Sequence, residues 1–158
     1  MEKKYVFFWK TASPFSNWHE SKFEIDGVKY QNVEQYMMWS KAVLMHDFDT
    51  ANKIMSTSDP RTIKALGREV KNYKEELWEK VRFDVVFSAC KAKFTQNEKL
   101  NKALLAEDGE FVESSPYDKI WGIGLDEDAA KKTDPKNWPG QNLLGKVLTK
   151  LRDELKNY

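Results

Sequence analysis

Residues 30–42, YQNVEQYMMWSKA, mark a change from strand to helix, and the prediction of the fold class rests on it. The residues before it, KFEIDGVKYQN at 22–32, alternate apolar and polar side chains about Asp26-Gly27, which predicts a β-hairpin. Apolar residues at helical spacing then follow Asn32, a residue typical of helix N-caps, and predict a helix to about His46. A hairpin that leads directly into a helix indicates an α+β fold.

The rest of the chain predicts more helix than strand. Residues 5–9 predict a short strand, and residues 110–115 and 119–124 predict two more near the other end of the sequence. Residues 126–142 contain two prolines and a glycine and predict a loop. Further helices are predicted at 48–56, 60–70, 74–94, 98–106 and 143–158. We therefore expect one helix-rich α+β domain over 1–158, with strand pairs towards both ends of the sequence.

Composition excludes several classes of protein. The 158 residues carry 26 Lys and Arg against 25 Asp and Glu, and a net charge of +1 gives no strong field for DNA or a membrane. Cys90 is the only cysteine, which excludes an intramolecular disulfide and a cysteine-based zinc cluster. With two histidines and no apolar run long enough to cross a bilayer, we expect a cytoplasmic protein without membrane association, metal or cofactor.

Glu34 and Lys41 are the two charged residues inside the apolar segment 33–42. Seven helical positions make nearly two turns, so both side chains fall on one stripe, roughly 10 Å apart along the axis. Because helical side chains lean towards the N-terminus, Lys41 is expected to reach back towards Glu34. The pair therefore predicts either a site that holds a substrate atom between two groups, or a solvated stripe on a half-buried helix.

Other polar residues give the same choice between a ligand site and ordinary structure. Lys64 and Arg68, one helical turn apart, suit a phosphate or a solvated helix face. Asp118, Trp121 and Gly122 suit a carboxylate beside a stacking platform, or a tight turn with a core tryptophan.

Two further positions lie at or inside helices. Asn142 and Gly145 open the last helix and suit either backbone binding of a ligand or a helix cap. Arg82 lies among apolar residues, and we expect it either on a polar edge or paired with a buried carboxylate.

Seven segments together resemble the NADAR family, also called YbiA-like N-glycosidases. In chain order they are SPFSNW (13–18), VEQYMMWSKA (33–42), ALGREV (65–70), residues 78–82, AKFTQNEKL (92–100), YDKIWGIG (117–124) and GQNLLGKVLTKLR (140–152). The resemblance runs from about residue 7 to 155 and implies a YbiA-like fold. It also implies hydrolysis of the N-glycosidic bond between ribose C1 and an amino group of a base. Substrates that come with it are phosphorylated ribosylamino-pyrimidine intermediates of riboflavin synthesis, and ADP-ribose on guanine in nucleic acid. An older label of the family is swarming motility.

The resemblance also implies roles for nine residues. Glu34 and Lys41 match a Glu followed seven positions later by Lys, and Asp118, Trp121 and Gly122 match an Asp-x-x-Trp-Gly pattern. Catalytic roles are implied for Glu34, Lys41 and Asp118. Substrate-binding roles are implied for Asn17, Trp18, Arg68, Trp121, Gly122 and Asn142. The chain departs from the family pattern in having Trp18 where many relatives have Phe, which implies a change of pocket shape.

Two mechanisms remain open at the level of sequence. An unprotonated Lys41 attacks C1 as a Schiff-base nucleophile, with its pKa lowered by desolvation among Met38, Trp39 and Met45. Alternatively a carboxylate supports direct hydrolysis and Lys41 only binds. Two other function classes also remain, a non-catalytic binding module for a nucleotide or ADP-ribosyl group and a motility-related partner-binding protein. Oligomeric state is not determined by these patterns.

Overall fold

The computed structural model describes residues 3–157 and divides into two compact units. The central unit is Asn17–Asn97, and the terminal unit combines Met1–Ser16 with Glu98–Tyr158. Helices outnumber short strands in the described chain, so the predicted helix-rich α+β class is confirmed. That the two units make up one domain stays a prediction. Among the described residues, no helix is both long and apolar enough to cross a membrane.

The central unit contains one hairpin and four helices. Its strands are β2 (Phe23–Ile25) and β3 (Val28–Tyr30), and its helices are α1 (Val33–Leu44), α2 (Phe48–Met55), α3 (Pro60–Arg68) and α4 (Glu75–Gln96). The hairpin is antiparallel, with Phe23 opposite Tyr30. Asp26 and Gly27 both have positive φ, of 52° and 79°, as a tight two-residue turn requires. The predicted hairpin is therefore confirmed.

Three helices of the central unit begin at short polar side chains, which accept hydrogen bonds from backbone N–H groups of the first turn that have no partner within the helix. Asn32, Asp47 and Asp59 each accept a hydrogen bond from the backbone N–H three positions on, at the starts of α1, α2 and α3. Pro60 occupies the first turn of α3, where its missing N–H costs nothing. Helix α1 packs against α2, α3 and α4, so residues on its different faces meet all three.

The terminal unit is built around a two-stranded parallel sheet. Its elements are β1 (Tyr5–Phe8), α5 (Glu98–Ala106), β4 (Glu110–Glu113), α6 (Glu127–Lys131), a short 3-10 helix (Pro135–Asn137) and α7 (Leu143–Lys156). Strand β1 pairs with β4, and Tyr5 lies opposite Glu110. Helix α7 packs on β4 and on α5. The fully buried residues Phe111, Leu144 and Leu148 belong to these elements and form part of its core.

The predicted strand at 119–124 is wrong. The side chain of Asp118 accepts hydrogen bonds from the backbone N–H groups of Ile120 and Trp121, which pulls the chain into a turn. The carbonyl groups of 119–123 then accept from the N–H groups of 140–144 in an irregular pattern, and no ladder forms. Strand β4 consequently pairs with β1 rather than with a neighbour from the C-terminal half, so the predicted second strand pair is also wrong.

The predicted loop at 126–142 contains two short helical segments. Asp126 accepts from the backbone N–H of Ala129 and starts α6, and Asp134 accepts from Lys136 N–H before Pro135. Both starts follow the rule for helix caps, so the sequence contained their signal. The number of prolines and charges in this segment favoured a loop and hid two helices of five and three residues.

Candidate active site

Glu34 lies in the first turn of α1 and only 5% of its surface is exposed. Its backbone N–H donates to the carbonyl of Asn17, with the two atoms 3.1 Å apart, so the segment before the hairpin is fixed to the helix start. A carboxylate at this position also interacts favourably with the positive end of the helix dipole. The interpretation of a solvated stripe is therefore wrong for Glu34.

Lys41 lies in the last turn of α1 and is half-buried. Its Nζ donates a hydrogen bond of 2.8 Å to the carbonyl oxygen of Gly67, near the end of α3. The same Nζ lies 4.6 Å from the centroid of the Tyr73 ring, within the range of a cation–π contact. The end of α3 and the connection that follows it therefore hold this amine in place.

The pKa of Lys41 is lowered from its ordinary value, and burial is the largest cause because it disfavours the charged ammonium. Glu75 opposes this fall in pKa most strongly, followed by Glu34, because a nearby negative charge stabilises the ammonium. Arg68 lowers the pKa of Lys41 further by charge repulsion. The direction that the sequence predicts from desolvation is confirmed.

The candidate phosphate-binding residues of the central unit are Lys64 and Arg68, and Trp18 lies beside Lys64. The Nζ of Lys64 lies 5.7 Å from the centroid of the Trp18 ring, so tryptophan and amine are in contact. Arg68 is the last residue of α3 and is exposed. Two cations one turn apart on α3, with an aromatic ring beside one of them, have the chemistry to hold a phosphate next to a flat group.

Asn17 is buried, with 7% of its surface exposed. Its side-chain Oδ1 has no hydrogen-bond partner among the described residues, whereas its backbone oxygen accepts from Glu34. A buried acceptor without a donor is rare in folded proteins and costs free energy, so it marks a position where a ligand N–H or O–H would be stabilised.

The remaining four predicted site residues, Asp118, Trp121, Gly122 and Asn142, lie in the terminal unit. The Oδ1 of Asp118 accepts from two backbone N–H groups, at 2.9 and 2.8 Å, as the turn interpretation requires. Trp121 is partly exposed. A Cβ on Gly122 would lie 2.9 Å from the carbonyl oxygen of Glu113, so the close backbone packing at this position requires glycine.

Asn142 precedes α7 in a left-handed conformation, with φ 55°, and makes no side-chain cap bond. Its Oδ1 accepts from the N–H of Glu113 and its Nδ2 donates to the carbonyl of Phe111, both at 3.0 Å. The side-chain amide therefore fixes β4 to the start of α7. Gly145 supports the same contact, because a Cβ there would lie 2.1 Å from the Phe111 oxygen.

The structure thus groups the predicted site residues by unit. Five lie in the central unit: Asn17, Trp18, Glu34, Lys41 and Arg68. Four lie in the terminal unit, around the turn before 119–124 and the start of α7. Their catalytic and substrate-binding roles stay predictions.

Sequence reasoning missed three residues that contact or influence the Lys41 amine: Gly67, Tyr73 and Glu75. It singled out Arg82, which is buried and lies 3.6 Å from the carboxylate of Glu75. That carboxylate is itself about half exposed, so a buried arginine reaches a partner at the surface. Because Tyr73 and Glu75 are exposed around the start of α4, hydrophobic spacing gave no signal for them.

Comparison with known proteins identifies the family. The sequence model of the NADAR domain matches residues 7–156, so the chain belongs to the NADAR family. N-glycosidase R617 of Acanthamoeba polyphaga mimivirus is 43% identical over 163 residues, which cover 96% of each chain. Protein irg-1 of Caenorhabditis elegans is 40% identical over 97% of this chain and 80% of its own length.

Two more distant relatives agree with this assignment. The solution NMR structure of the E. coli protein YbiA superimposes with a TM-score of 0.80 at 27% identity, covering 99% of this chain and 88% of that chain. The chloroplastic riboflavin biosynthesis protein PYRR of Arabidopsis thaliana is 27% identical over 97% of this chain, which is 27% of its own length. The predicted YbiA-like fold is confirmed, and so, at the level of the family, is the enzyme class of hydrolases acting on N-glycosyl compounds.

Proposed function

We propose that this protein hydrolyses the N-glycosidic bond between ribose C1 and an amino group of a heterocyclic base, with Lys41 as nucleophile. The observation that supports this most directly is the half-buried Lys41 amine, whose pKa is lowered, on the same helix as the buried carboxylate of Glu34. A larger fraction of neutral amine is what an amine nucleophile needs near neutral pH.

In the proposed mechanism the glycosylamine first opens to an imine at C1. The neutral amine of Lys41 adds to C1, and the bond from C1 to the amino nitrogen of the base breaks as that nitrogen takes up a proton. Water then adds to the C1–lysine imine, which releases the sugar as its aldehyde and regenerates the free amine of Lys41. The net change is one water consumed, with one base and one sugar released. Glu34 is the proposed proton carrier: its carboxylate takes the proton that the Lys41 nitrogen loses after addition and delivers it to the leaving base.

The rival mechanism is direct hydrolysis, in which Glu34 or Asp118 activates water or stabilises an oxocarbenium-like C1 and Lys41 only binds. Borohydride added during turnover distinguishes the two, because it reduces a C1–lysine imine to a stable amine. We expect peptide mass analysis to find a sugar adduct on Lys41 and none in the Lys41→Arg variant. An unmodified Lys41 in an enzyme that is turning over would leave direct hydrolysis as the mechanism.

The proposed substrate carries a phosphate, which Arg68 and Lys64 bind while Trp18 packs against a flat group. Two classes fit these contacts, phosphorylated ribosylamino-pyrimidines and ADP-ribose linked to guanine in nucleic acid. The relative named for riboflavin biosynthesis supports the first class, and the net charge of +1 gives no general attraction for nucleic acid. We therefore propose the small phosphorylated metabolite as the substrate. We also propose that the reaction takes place in the cytoplasm, because a chain with a single cysteine suits a reducing compartment.

Incubation with both substrate classes, followed by mass spectrometry of the released base and sugar, tests this proposal. We expect release from the ribosylamino-pyrimidine and a much slower release from ADP-ribosylated guanine. Tight binding of either compound without any product, unchanged in Glu34→Gln, would instead identify a non-catalytic binding module.

A further inference from the structure

Tyr73, Glu75 and Arg82 form a chain of polar contacts that ends at the Lys41 amine. The hydroxyl of Tyr73 donates a hydrogen bond of 2.6 Å to Oε2 of Glu75. The other carboxylate oxygen, Oε1, lies 3.6 Å from Nη1 of the buried Arg82. The ring of Tyr73 lies 4.6 Å from Nζ of Lys41. The Glu75 carboxylate therefore accepts from the hydroxyl of Tyr73, whose ring covers the Lys41 amine, and it is also paired with Arg82 of α4.

The Tyr73–Glu75 bond restricts the side chain of Tyr73. Tyr73 is 39% exposed and lies in the connection between α3 and α4. A short bond from a hydroxyl to a carboxylate is among the stronger side-chain hydrogen bonds. Burial and this bond raise the pKa of Tyr73 to about 12, so the hydroxyl keeps its proton and remains a donor.

We propose that Glu75 is a positioning residue for Lys41, because its carboxylate holds the Tyr73 ring over the Lys41 amine. The proposal rests on the nucleophilic role given to Lys41 above. Nothing in the sequence pattern or in the family resemblance assigns a role to Glu75 or Tyr73.

The charges that influence Lys41 come from each element around it. On α1 itself the carboxylate of Glu34 stabilises the ammonium, and at the end of α3 the guanidinium of Arg68 destabilises it. From the start of α4, Glu75 stabilises the ammonium more than Glu34 does. Burial and Arg68 together outweigh both carboxylates, so the pKa of Lys41 is lowered, but by less than it would be without Glu75.

Glu75→Gln removes this charge while keeping an oxygen that accepts from Tyr73. We expect the Lys41 pKa to fall, with a roughly threefold higher ratio of neutral amine to ammonium at a fixed pH, as an ion interaction near the surface is worth. The Cε–Hε signals of Lys41, assigned by their absence in Lys41→Arg, report this ratio directly in a ¹³C NMR titration. Glu76→Gln is the matched control, because Glu76 is the next residue in the same first turn of α4 and is exposed.

Tyr73→Phe is the second variant, and it keeps both the ring and the Glu75–Arg82 pair. Without the hydroxyl the ring is no longer tied to Glu75, so its ring-current shift on the Lys41 ε-protons should decrease while Glu75→Gln preserves it. If Glu75→Gln unfolds because Arg82 has lost its ion pair, Tyr73→Phe still tests whether the hydrogen bond to Glu75 holds the Tyr73 ring over the Lys41 amine.

Two results would overturn the proposal: equal Lys41 pKa values in Glu75→Gln and Glu76→Gln, or a ring-current shift that Tyr73→Phe leaves unchanged. The pH profile of activity adds a second readout. If Lys41 is the nucleophile, Glu75→Gln moves the rise of activity with pH to lower pH, whereas Glu76→Gln does not. A shifted NMR titration with an unshifted pH profile would keep the positioning role and contradict the nucleophilic role, so the two failures are distinguishable.

Discussion

The amine of Lys41 donates a hydrogen bond of 2.8 Å to the carbonyl oxygen of Gly67, which joins the last turn of α1 to the last turn of α3. Gly67 is also the residue directly before Arg68, so the proposed nucleophile and the proposed phosphate ligand are fixed through one peptide unit. Close contact between the two helices is possible because Gly67 has no side chain and is buried against Met38. The position of Lys41 therefore depends on the packing of α1 against α3.

Gly67→Ala tests this dependence. A Cβ at Gly67 would lie 2.0 Å from Sδ and 2.9 Å from Cγ of Met38, so the two helices must separate or Met38 must move. We expect a loss of up to about 2 kcal/mol in the free energy of unfolding, because overpacking costs about 1–3 kcal/mol and replacing glycine in a helix regains about 1 kcal/mol. Activity should fall by about tenfold, since small displacements of a catalytic group are costly.

Met38→Ala provides the control for this prediction. In that background the clash is absent, and Gly67→Ala should become neutral or stabilising by urea denaturation. A Gly67→Ala effect of the same size in both backgrounds would show that Met38 contact is not the cause.

The pH dependence of activity follows from the lowered pKa of Lys41. A nucleophilic amine must be neutral, so the rate rises with pH and levels off above the pKa of Lys41. Because burial lowers that pKa below the ordinary lysine value of 10.5, we expect the midpoint of the rise below pH 10.5. Initial rates at saturating substrate, measured in constant ionic strength buffers, give the midpoint. A rate that does not depend on pH through this range would contradict a nucleophilic Lys41.

Arg68→Ala tests the phosphate site. Losing a charged hydrogen bond to phosphate should raise the Michaelis constant by roughly tenfold or more, with a smaller change in kcat. Arg61→Ala is the matched control, because Arg61 lies in the same helix, is exposed and carries the same charge. Equal Michaelis constants in the two variants would show that Arg68 does not bind the phosphate.

The sequence predicted those parts of the molecule whose signals are local. The Asp26-Gly27 turn and the cap at Asn32 each depend on residues within three positions, and both were predicted correctly. The stretch 119–124 has strand-like composition, yet its partners lie about twenty residues further on, and no local pattern indicates them. Strand β4 was placed correctly, but its partner β1 lies about one hundred residues earlier.

The candidate site was predictable to a similar degree. Glu34 and Lys41 share one helix, so spacing brought them to attention. Tyr73 was invisible because its role depends on a ring position that only the folded chain defines. The side chains of Asp118 and Asn142 bind backbone groups. The backbone groups that Asn142 binds belong to residues about thirty positions earlier in the chain. The bonds of Asn142 are made by tertiary structure, so periodicity cannot reveal them, whereas those of Asp118 reach only two and three positions and agree with the turn interpretation.

Asp118 offers a test that separates a structural from a catalytic role. Asp118→Asn keeps the Oδ1 that accepts from Ile120 and Trp121, so the turn should persist and the melting temperature should change little. If Asp118 activates water or stabilises positive charge, as in direct hydrolysis, activity falls at least tenfold, because an amide cannot do either. If Lys41 is the nucleophile and Glu34 moves the proton, activity is retained. Asp118→Ala should lower both stability and activity. Full activity in Asp118→Asn would assign this residue to the turn alone.

Asn142 is expected to contribute more to stability than to binding. Asn142→Ala leaves the N–H of Glu113 and the carbonyl of Phe111 without their partner, at a cost of about 2–4 kcal/mol in the free energy of unfolding. Gln141→Ala, at the exposed neighbouring position, is the control and should cost under about 0.5 kcal/mol.

Asn142→Asp gives this prediction a pH dependence of known sign. The carboxylate would still accept from Glu113 but would place a second oxygen against the Phe111 carbonyl, 3.0 Å away in the native amide. Burial and this repulsion raise the folded-state pKa of the introduced carboxyl above its unfolded value, so the folded state binds more protons. The stability deficit relative to the native protein, measured by urea denaturation at each pH, should therefore decrease as the pH falls through that raised pKa. A deficit that is constant with pH would mean that the Nδ2 bond to Phe111 contributes little, and that Asn142 is retained mainly for its left-handed backbone conformation.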